Sequence, residues 1–362
     1  MKHFLAFIAL CASPALLVAQ PRILQEDWSQ SGRVGAAGLS VEGRCVAITT
    51  TSFVAVIDKT GRELWRWNFS EGNRFIFATR VAVAPKCDWL VFAGGVGYHY
   101  VWIVHRNGNR IPIRTEGTPL AVEINHKGTL ATVGTGAGLV YLFAGDGTLR
   151  WKNDIGGFAP VEQLSFAEDD SAIMLRSWGQ GVISIDGTKR WAGGVWGSVS
   201  GFAARDFKTF VAWGEPPHGP GIGRVALLDT SGKVVWQRYA SVPDAIISAA
   251  GDLVAAQTND NQNPADEDGF RSEQLSSKLR LIAADGSVVR TFANKGTPVA
   301  FAGDGRRFLI RTETDFLALD LEDNPLWSIP LPDSFQTMIL TTTDLHTIVV
   351  LHQGDVAWFS AP

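Results

Sequence analysis

The chain has 362 residues, of which 46% are hydrophobic and 19% are charged. This composition is too apolar for a disordered protein, and the length allows a large core. The 32 basic and 36 acidic residues give a formal net charge of −4, which excludes a general basic surface for nucleic acid. The 38 glycines and 13 tryptophans favour many short strands joined by tight turns.

The N-terminal segment 1–19 has the pattern of a secretory signal peptide. Lys2 precedes an apolar run, and the small residue Ala19 stands before Gln20, where we expect cleavage. The apolar run is too short for a transmembrane helix, and no later stretch reaches the length of a membrane span. We therefore expect an exported protein, periplasmic or secreted, with residues 20–362 as its mature part.

Two cysteines lie beyond this segment, Cys45 and Cys87. They occupy similar places in consecutive repeats, and an oxidising compartment would allow them to form a disulfide. The sequence supplies no Cα separation, so two separate buried thiols are the slightly favoured alternative. Neither cysteine belongs to a Cys-x-x-Cys metal or redox motif.

One unit recurs along the chain after residue 40: an alternating apolar strand, an Asp, a Gly turn and a Trp. The Trp follows the Asp by seven residues in the long form and by five in the short form. Asp-Gly and Asn-Gly between alternating strands predict hairpins, because glycine accepts the positive φ of the turn. The repeated tryptophans are Trp65, Trp151, Trp191, Trp236 and Trp327.

Seven such hairpins follow one another at intervals of 35 to 56 residues, which indicates four short strands per unit. Arg290 and Pro112 stand at the Trp place in two of them. The chain after Met338 supplies three strands of an eighth unit, and segment 23–29 is similar to the outer strand at 64–70. We therefore predict an all-β, single-domain β-propeller of eight four-stranded blades, closed by pairing of the N-terminal strand with the C-terminal blade. Seven blades is the alternative.

The repeated Trp lies on the outer strand of its unit, where it can wedge against the neighbouring blade. A buried Trp removes roughly 150–250 Å² from water, so several wedges would hold a ring together. We favour this structural role over a ligand-stacking site, because most repeated aromatic residues belong to the core.

The patterns Asp-x-x-Gly-x-x-x-Trp and Asp-Gly-x-x-x-Trp resemble the repeat of PQQ-like β-propellers, the quinoprotein dehydrogenase-like family. The resemblance covers nearly the whole mature chain and implies the shared propeller. Quinone-dependent dehydrogenases of this superfamily typically carry adjacent cysteines, an Asp base and a calcium site. This chain has no Cys-Cys pair, so it is more similar to the non-catalytic eight-bladed scaffold members.

The longest interruption of the repeat, residues 258–270, is acidic and polar. Its carboxylates could bind Ca²⁺, although their spacing does not match an EF-hand. A solvated loop is the alternative that the composition favours. The candidates here are Asp260, Asp266 and Asp268 for calcium, and Asp266, Glu267 and Phe270 for contact with a partner.

Two shorter interruptions, residues 94–102 and 214–223, carry the remaining candidates. The first clusters aromatic side chains that could stack on a sugar or peptide, although a packed blade face is the favoured alternative. The second holds a histidine among prolines and glycines, which could bind a metal or simply belong to a loop. The partner-contact candidates in these segments are Tyr98, His99, Tyr100 and His218.

No Gly-x-Ser-x-Gly elbow, phosphate loop or closely spaced histidine set occurs. We therefore predict a monomeric, non-enzymatic scaffold that binds a protein or small molecule through its loops, without cofactor or nucleic acid. The alternative is a propeller enzyme, such as a dehydrogenase that uses pyrroloquinoline quinone and Ca²⁺. The sequence leaves the partner and the binding face open.

Overall fold

The computed structural model describes the chain from Arg22 onward, with gaps. The described ranges are 22–23, 26–30, 34–69, 80–94, 99–155, 160–177, 180–193, 198–204, 208–215, 223–240, 244–258, 278–293, 296–331, 337–352 and 354–362. The expected signal peptide, residues 1–19, lies outside these ranges and stays a prediction.

The described residues form strands and no helix. The first half contains β1 (Arg22–Ile23), β2 (Glu26–Gln30), β3 (Ala36–Leu39), β4 (Cys45–Thr49), β5 (Phe53–Asp58), β6 (Glu63–Asn68), β7 (Arg80–Val83), β8 (Trp89–Ala93), β9 (Tyr100–His105), β10 (Arg110–Arg114), β11 (Pro119–Ile124), β12 (Leu130–Thr135), β13 (Leu139–Ala144), β14 (Leu149–Asp154), β15 (Gln163–Phe166), β16 (Ala172–Arg176), β17 (Gln180–Ser184) and β18 (Lys189–Gly193). The second half contains β19 (Ser198–Ala203), β20 (Thr209–Glu215), β21 (Gly223–Asp229), β22 (Val234–Ala240), β23 (Ala245–Ile247), β24 (Leu253–Thr258), β25 (Lys278–Ala283), β26 (Val288–Thr291), β27 (Thr297–Phe301), β28 (Arg307–Arg311), β29 (Asp315–Asp320), β30 (Pro325–Pro330), β31 (Thr337–Thr341), β32 (Thr347–His352) and β33 (Asp355–Ser360).

These strands form eight sheets, and each contains an antiparallel blade of four strands. Blade 1 is β3–β6, and the next six blades follow in fours, up to β27–β30 in blade 7. Blade 8 combines β31–β33 with β2. The predicted eight-bladed propeller is therefore confirmed, and the alternative of seven blades is wrong.

The core lies between blades. Successive side chains of a strand point to opposite faces of its sheet. Because the buried strands are apolar on both faces, every sheet presents one apolar face to each neighbouring blade. Eight clusters of buried side chains result, one at each interface between adjacent blades. Phe210 and Met174, for example, meet between blades 5 and 4. The first strand of each blade is its inner strand, and these eight strands line a central channel. They are β3, β7, β11, β15, β19, β23, β27 and β31.

The N-terminal segment closes the ring, as predicted. Trp28 in β2 pairs with Trp358 in β33, which completes blade 8 and ties the N-terminal segment to the last blade. The prediction of one strand over 23–29 is wrong in detail. Arg22 and Ile23 form a separate strand, β1, which pairs in parallel with β30 and adds a fifth strand to blade 7.

A one-residue bulge determines where each repeat Trp lies. In blades 1 and 3–7 one residue of the fourth strand has no partner in the third strand. The residue that follows it occupies the position of the repeat Trp, as Trp151 does opposite Leu142. Blade 2 has no skip, so Ile111, opposite Ile103, takes this position. The placement of Pro112 at the Trp position is therefore wrong. In blade 8 the same skip brings Trp28 to that register.

Cys45 and Cys87 are joined in a disulfide, with an S–S distance of 1.97 Å and a Cα–Cα distance of 6.3 Å. Cys45 begins the second strand of blade 1, and Cys87 lies in the turn between the first two strands of blade 2. The bond therefore covalently links two neighbouring blades. The slightly favoured alternative of two separate thiols does not hold.

Candidate functional site

The two faces of the ring differ in their connections. We call turn face the end that carries the turns between first and second strands, such as 40–45, and the hairpins between third and fourth strands, such as 58–63. We call loop face the opposite end, which carries the second-to-third connections and the connections between blades. Chain direction alone assigns these ends, because successive strands of each blade are antiparallel.

The turn face is tight and regular. In the seven blades whose first turn is described, its fourth residue has a positive φ and donates its amide to the carbonyl of the first residue. These residues are Gly43, Cys87, Gly128, Asp170, Gly251, Gly305 and Leu345. In the hairpins, Asp146 accepts the backbone amide of Thr148 at 2.9 Å, which lowers the pKa of Asp146. Such turns leave little variable surface.

The loop face carries the long connections. In blade 5 the second strand ends at Glu215 and the third begins at Gly223. In the adjacent blade 6 the second strand ends at Thr258 and the third begins at Lys278. Both pairs of strand ends lie at the loop face, so the two interruptions begin side by side. The candidates within the interruptions lie outside the described residues: Tyr98, His218, Asp260, Asp266, Glu267, Asp268 and Phe270.

His99 and Tyr100 are the partner-contact candidates that the structure describes. Both are exposed at the loop-face end of β9, and Tyr100 is 41% accessible. Trp102, on the same face of the strand, packs instead against Trp67 of blade 1, with ring centroids 5.3 Å apart. The segment therefore combines one aromatic side chain that packs in the core, Trp102, with exposed side chains at its loop-face end. Phe92 belongs to the same core cluster as Trp102.

The repeat tryptophans contact the following blade. Trp65 Nε1 donates to the carbonyl of Cys87 at 2.7 Å, and Trp151 Nε1 donates to that of Ile185 at 2.8 Å. Trp327 is buried between blades 7 and 8. Trp236 lies over Gly286 of blade 6. The side chain of Trp191 lies outside the described part of the structure.

Two buried arginines lie between blades 5 and 6, close to the start of the longest interruption. Arg280 donates to the carbonyl and hydroxyl oxygens of Thr258 at 2.8 and 2.9 Å. Arg238 donates to the carbonyl of Gly286 at 2.6 Å. Burial, with the charge of Arg280, lowers the pKa of Arg238. Two arginine side chains therefore lie near the base of the acidic interruption.

The sequence analysis did not single out two carboxyl groups on or beside inner strands. Burial raises the pKa of Glu123 on β11 to about 7, against a smaller lowering by the Ile124 amide. Burial likewise raises the pKa of Asp244, beside β23, to about 7. Glu123 borders a cavity of about 350 Å³ in the channel. The available signal was an ionisable residue inside the apolar stretch 119–124.

Among the described residues, no three His, Cys, Asp or Glu side chains converge as a metal site would require. The described residues also contain no helix long and apolar enough to cross a membrane.

The fold defines the class of protein as an eight-bladed β-propeller. A similar solved structure is that of the Dos1 propeller, with a TM-score of 0.61, 13% sequence identity and 94% of both chains covered. At that identity the likeness shows the fold alone. No known protein family matches the sequence, and no curated protein matches it either.

Proposed function

We propose that this propeller is a non-enzymatic binding scaffold whose loop face contacts a partner, most simply another protein. One observation carries the proposal: the two longest connections between second and third strands start from adjacent blades at the same face, while the described turns of the other face are tight. Variable segments on a rigid ring are a common basis for recognition. The exposed side chains of His99 and Tyr100 add to this face.

The proposal includes export. The pattern of residues 1–19 supports a signal peptide, and the Cys45–Cys87 disulfide supports an oxidising compartment, since such bonds persist mainly outside the cytosol. Residues 20–362 would then be one exported propeller domain, periplasmic or secreted. The finer assignment to the PQQ-like repeat family rests on the Asp-to-Trp spacing and belongs to the same proposal.

The direct test shortens the largest interruption. Thr258 and Lys278 pair across β24 and β25, so a two-residue Asn-Gly turn can replace residues 259–277. The matched control is Asp285→Asn, at the turn-face hairpin of the same blade. After cross-linking in the producing cells and purification of this protein, wild type and control should carry the same partner. The shortened chain should not carry it. Equal recovery by the shortened chain, or none by the wild type, would contradict the proposal.

A second assay separates the scaffold from a quinone enzyme. A ligand at a hundredfold excess over its Kd stabilises a protein by about 2.7 kcal/mol. We expect no shift in the melting temperature with pyrroloquinoline quinone plus Ca²⁺. A shift that requires the quinone would assign the chain to the dehydrogenases instead.

A further inference from the structure

The channel contains a partly open cavity that the loop-face proposal does not use. A cavity of about 350 Å³ lies towards the turn face, within the size range of small-molecule pockets. It is bordered by the inner strands of four consecutive blades, β31, β3, β7 and β11. It is lined both by apolar residues, such as Leu39, Val83 and Ile339, and by polar groups, including those of Thr341 and Thr343.

Glu123 is the one ionisable side chain among the described residues that line this cavity. No described side chain forms a hydrogen bond or ion pair with its carboxyl group. The strands packed against β11 carry one charged residue, Arg80, which is exposed at the other end of β7. His126 and Lys127, in the turn after β11, contact Asp170 of blade 4 instead.

We propose that the channel cavity binds a small organic monocation, a primary ammonium with a short apolar tail, through the carboxylate of Glu123. The single carboxylate complements one positive charge, and a buried charge is stabilised mainly by a direct partner. The apolar part of the lining, with Leu39, Val83 and Ile339, can contact a short alkyl tail. Calcium is a poor occupant, because one carboxylate compensates only half of its double charge in a partly buried site.

The proposal predicts a defined pH dependence. The pKa of the Glu123 carboxyl is raised to about 7 in the empty protein, while an alkylammonium stays charged throughout this range, as the Lys side chain does. If only the ionised carboxylate binds, affinity follows the ionised fraction. It should then rise about thirtyfold between pH 5.5 and pH 8.5.

The test is calorimetric titration of the full chain with n-butylammonium, and with n-butanol as its neutral analogue. We expect n-butylammonium to bind with the thirtyfold rise above, and n-butanol to bind more weakly and without pH dependence. Glu123→Gln should weaken n-butylammonium binding at pH 8.5 at least tenfold. Glu313→Gln, which removes an exposed carboxyl in the β28–β29 turn, should leave it unchanged.

A second variant guards against a misfolded Glu123→Gln chain. Thr341→Phe keeps the carboxyl and fills the cavity, so it should also abolish binding while retaining the melting transition. The proposal is overturned if wild type shows no binding, if affinity is the same at both pH values, or if either cavity variant binds as wild type does. Displacement of n-butylammonium by millimolar Ca²⁺ would overturn it in favour of a metal site. These results do not depend on the loop face, so they stand apart from the scaffold proposal.

Discussion

Cys87 and Asp170 occupy the same position in the turn between the first two strands of blades 2 and 4, with φ angles of 60° and 61°. Each reaches back to the preceding blade. Cys87 forms the disulfide with Cys45 of blade 1, and Asp170 accepts hydrogen bonds from Asn125 and His126 of blade 3. One turn geometry therefore supports two different inter-blade links.

Glycine fills this position in four other described turns, and in three of them, at Gly43, Gly128 and Gly251, it packs closely against the previous blade. A Cβ added at Gly43 would lie 2.6 Å from Thr342 of blade 8, and one at Gly251 would lie 2.1 Å from Thr209 of blade 5. Blades pack too closely there for most side chains. Cys87 and Asp170 replace this close packing with a covalent bond and with hydrogen bonds.

Reduction of the disulfide should destabilise the ring. The bond between Cys45 and Cys87 spans 42 residues, for which loop-closure entropy gives about 4 kcal/mol. We expect the urea midpoint of the wild type to fall on adding dithiothreitol. The double variant Cys45→Ala, Cys87→Ala should start at the lower midpoint and not respond. Equal wild-type midpoints with and without reductant would show that the bond contributes no stability.

Removal of the Asp170 carboxylate should cost about 3 kcal/mol of unfolding free energy in Asp170→Ala, because buried donors of blade 3 lose their acceptor. Asp170→Gly should cost about 1 kcal/mol less, since glycine tolerates the positive φ. The control is Asp169→Ala, the exposed neighbour, which should change stability little. Chemical denaturation measures all three variants. Equal losses at both positions would contradict the inter-blade role of Asp170.

Contact between a repeat Trp and the next hairpin can be isolated with two glycines of similar backbone. Gly187 and Gly108 have φ angles of 92° and 90°. A Cβ at Gly187 would lie 3.1 Å from the Trp151 ring, whereas one at Gly108 would meet nothing within 4 Å. Both alanine variants carry about 1–2 kcal/mol of backbone strain. Gly187→Ala should therefore unfold at lower urea than Gly108→Ala, and equal midpoints would refute a tight wedge.

The carboxyl groups of Glu123 and Asp244 should make the free energy of unfolding fall as pH rises from about 4 to 7. In this range the folded state keeps the protons of Glu123 and Asp244, whose pKa values are about 7, while the unfolded state releases them. The unfolding free energy of Glu123→Gln should equal that of wild type near pH 4 and should be about 1–2 kcal/mol higher at pH 8. This range allows for the screening of the carboxylate by water in the channel. Glu313→Gln is the control. A stability difference that does not vary with pH would contradict the raised pKa.

The architecture could be predicted because its signals are local. Strand alternation, Asp-Gly turns and the segment before Trp28 indicate the hairpins, the blade count and the closure from short windows of sequence. The misplacement of Pro112 came from counting residues across a hairpin. Whether a bulge shifts the register there depends on packing against the next blade, which no single hairpin shows.

The candidate site residues also fall into two groups: those that a short stretch of sequence indicates, and those whose environment forms only in the folded ring. His99 and Tyr100 were partner-contact candidates because a cluster of aromatic residues beside a turn is visible in the sequence, although a packed blade face was the favoured alternative. The structure shows both side chains exposed at the loop-face end of β9. Glu123 was missed because its environment is formed by β31, β3 and β7, which are remote in the chain. Only closure of the ring brings those strands around the carboxyl group.

Site-specific photo-cross-linking tests the binding face most directly. A photoreactive amino acid replaces Tyr100 at the loop face in one variant and Asn107, in the turn-face hairpin of the same blade, in another. On irradiation in the producing cells, the variant at position 100 should cross-link to a defined partner protein and the variant at position 107 should not. Cross-links from position 107 alone, or equally from both positions, would contradict binding through the loop face.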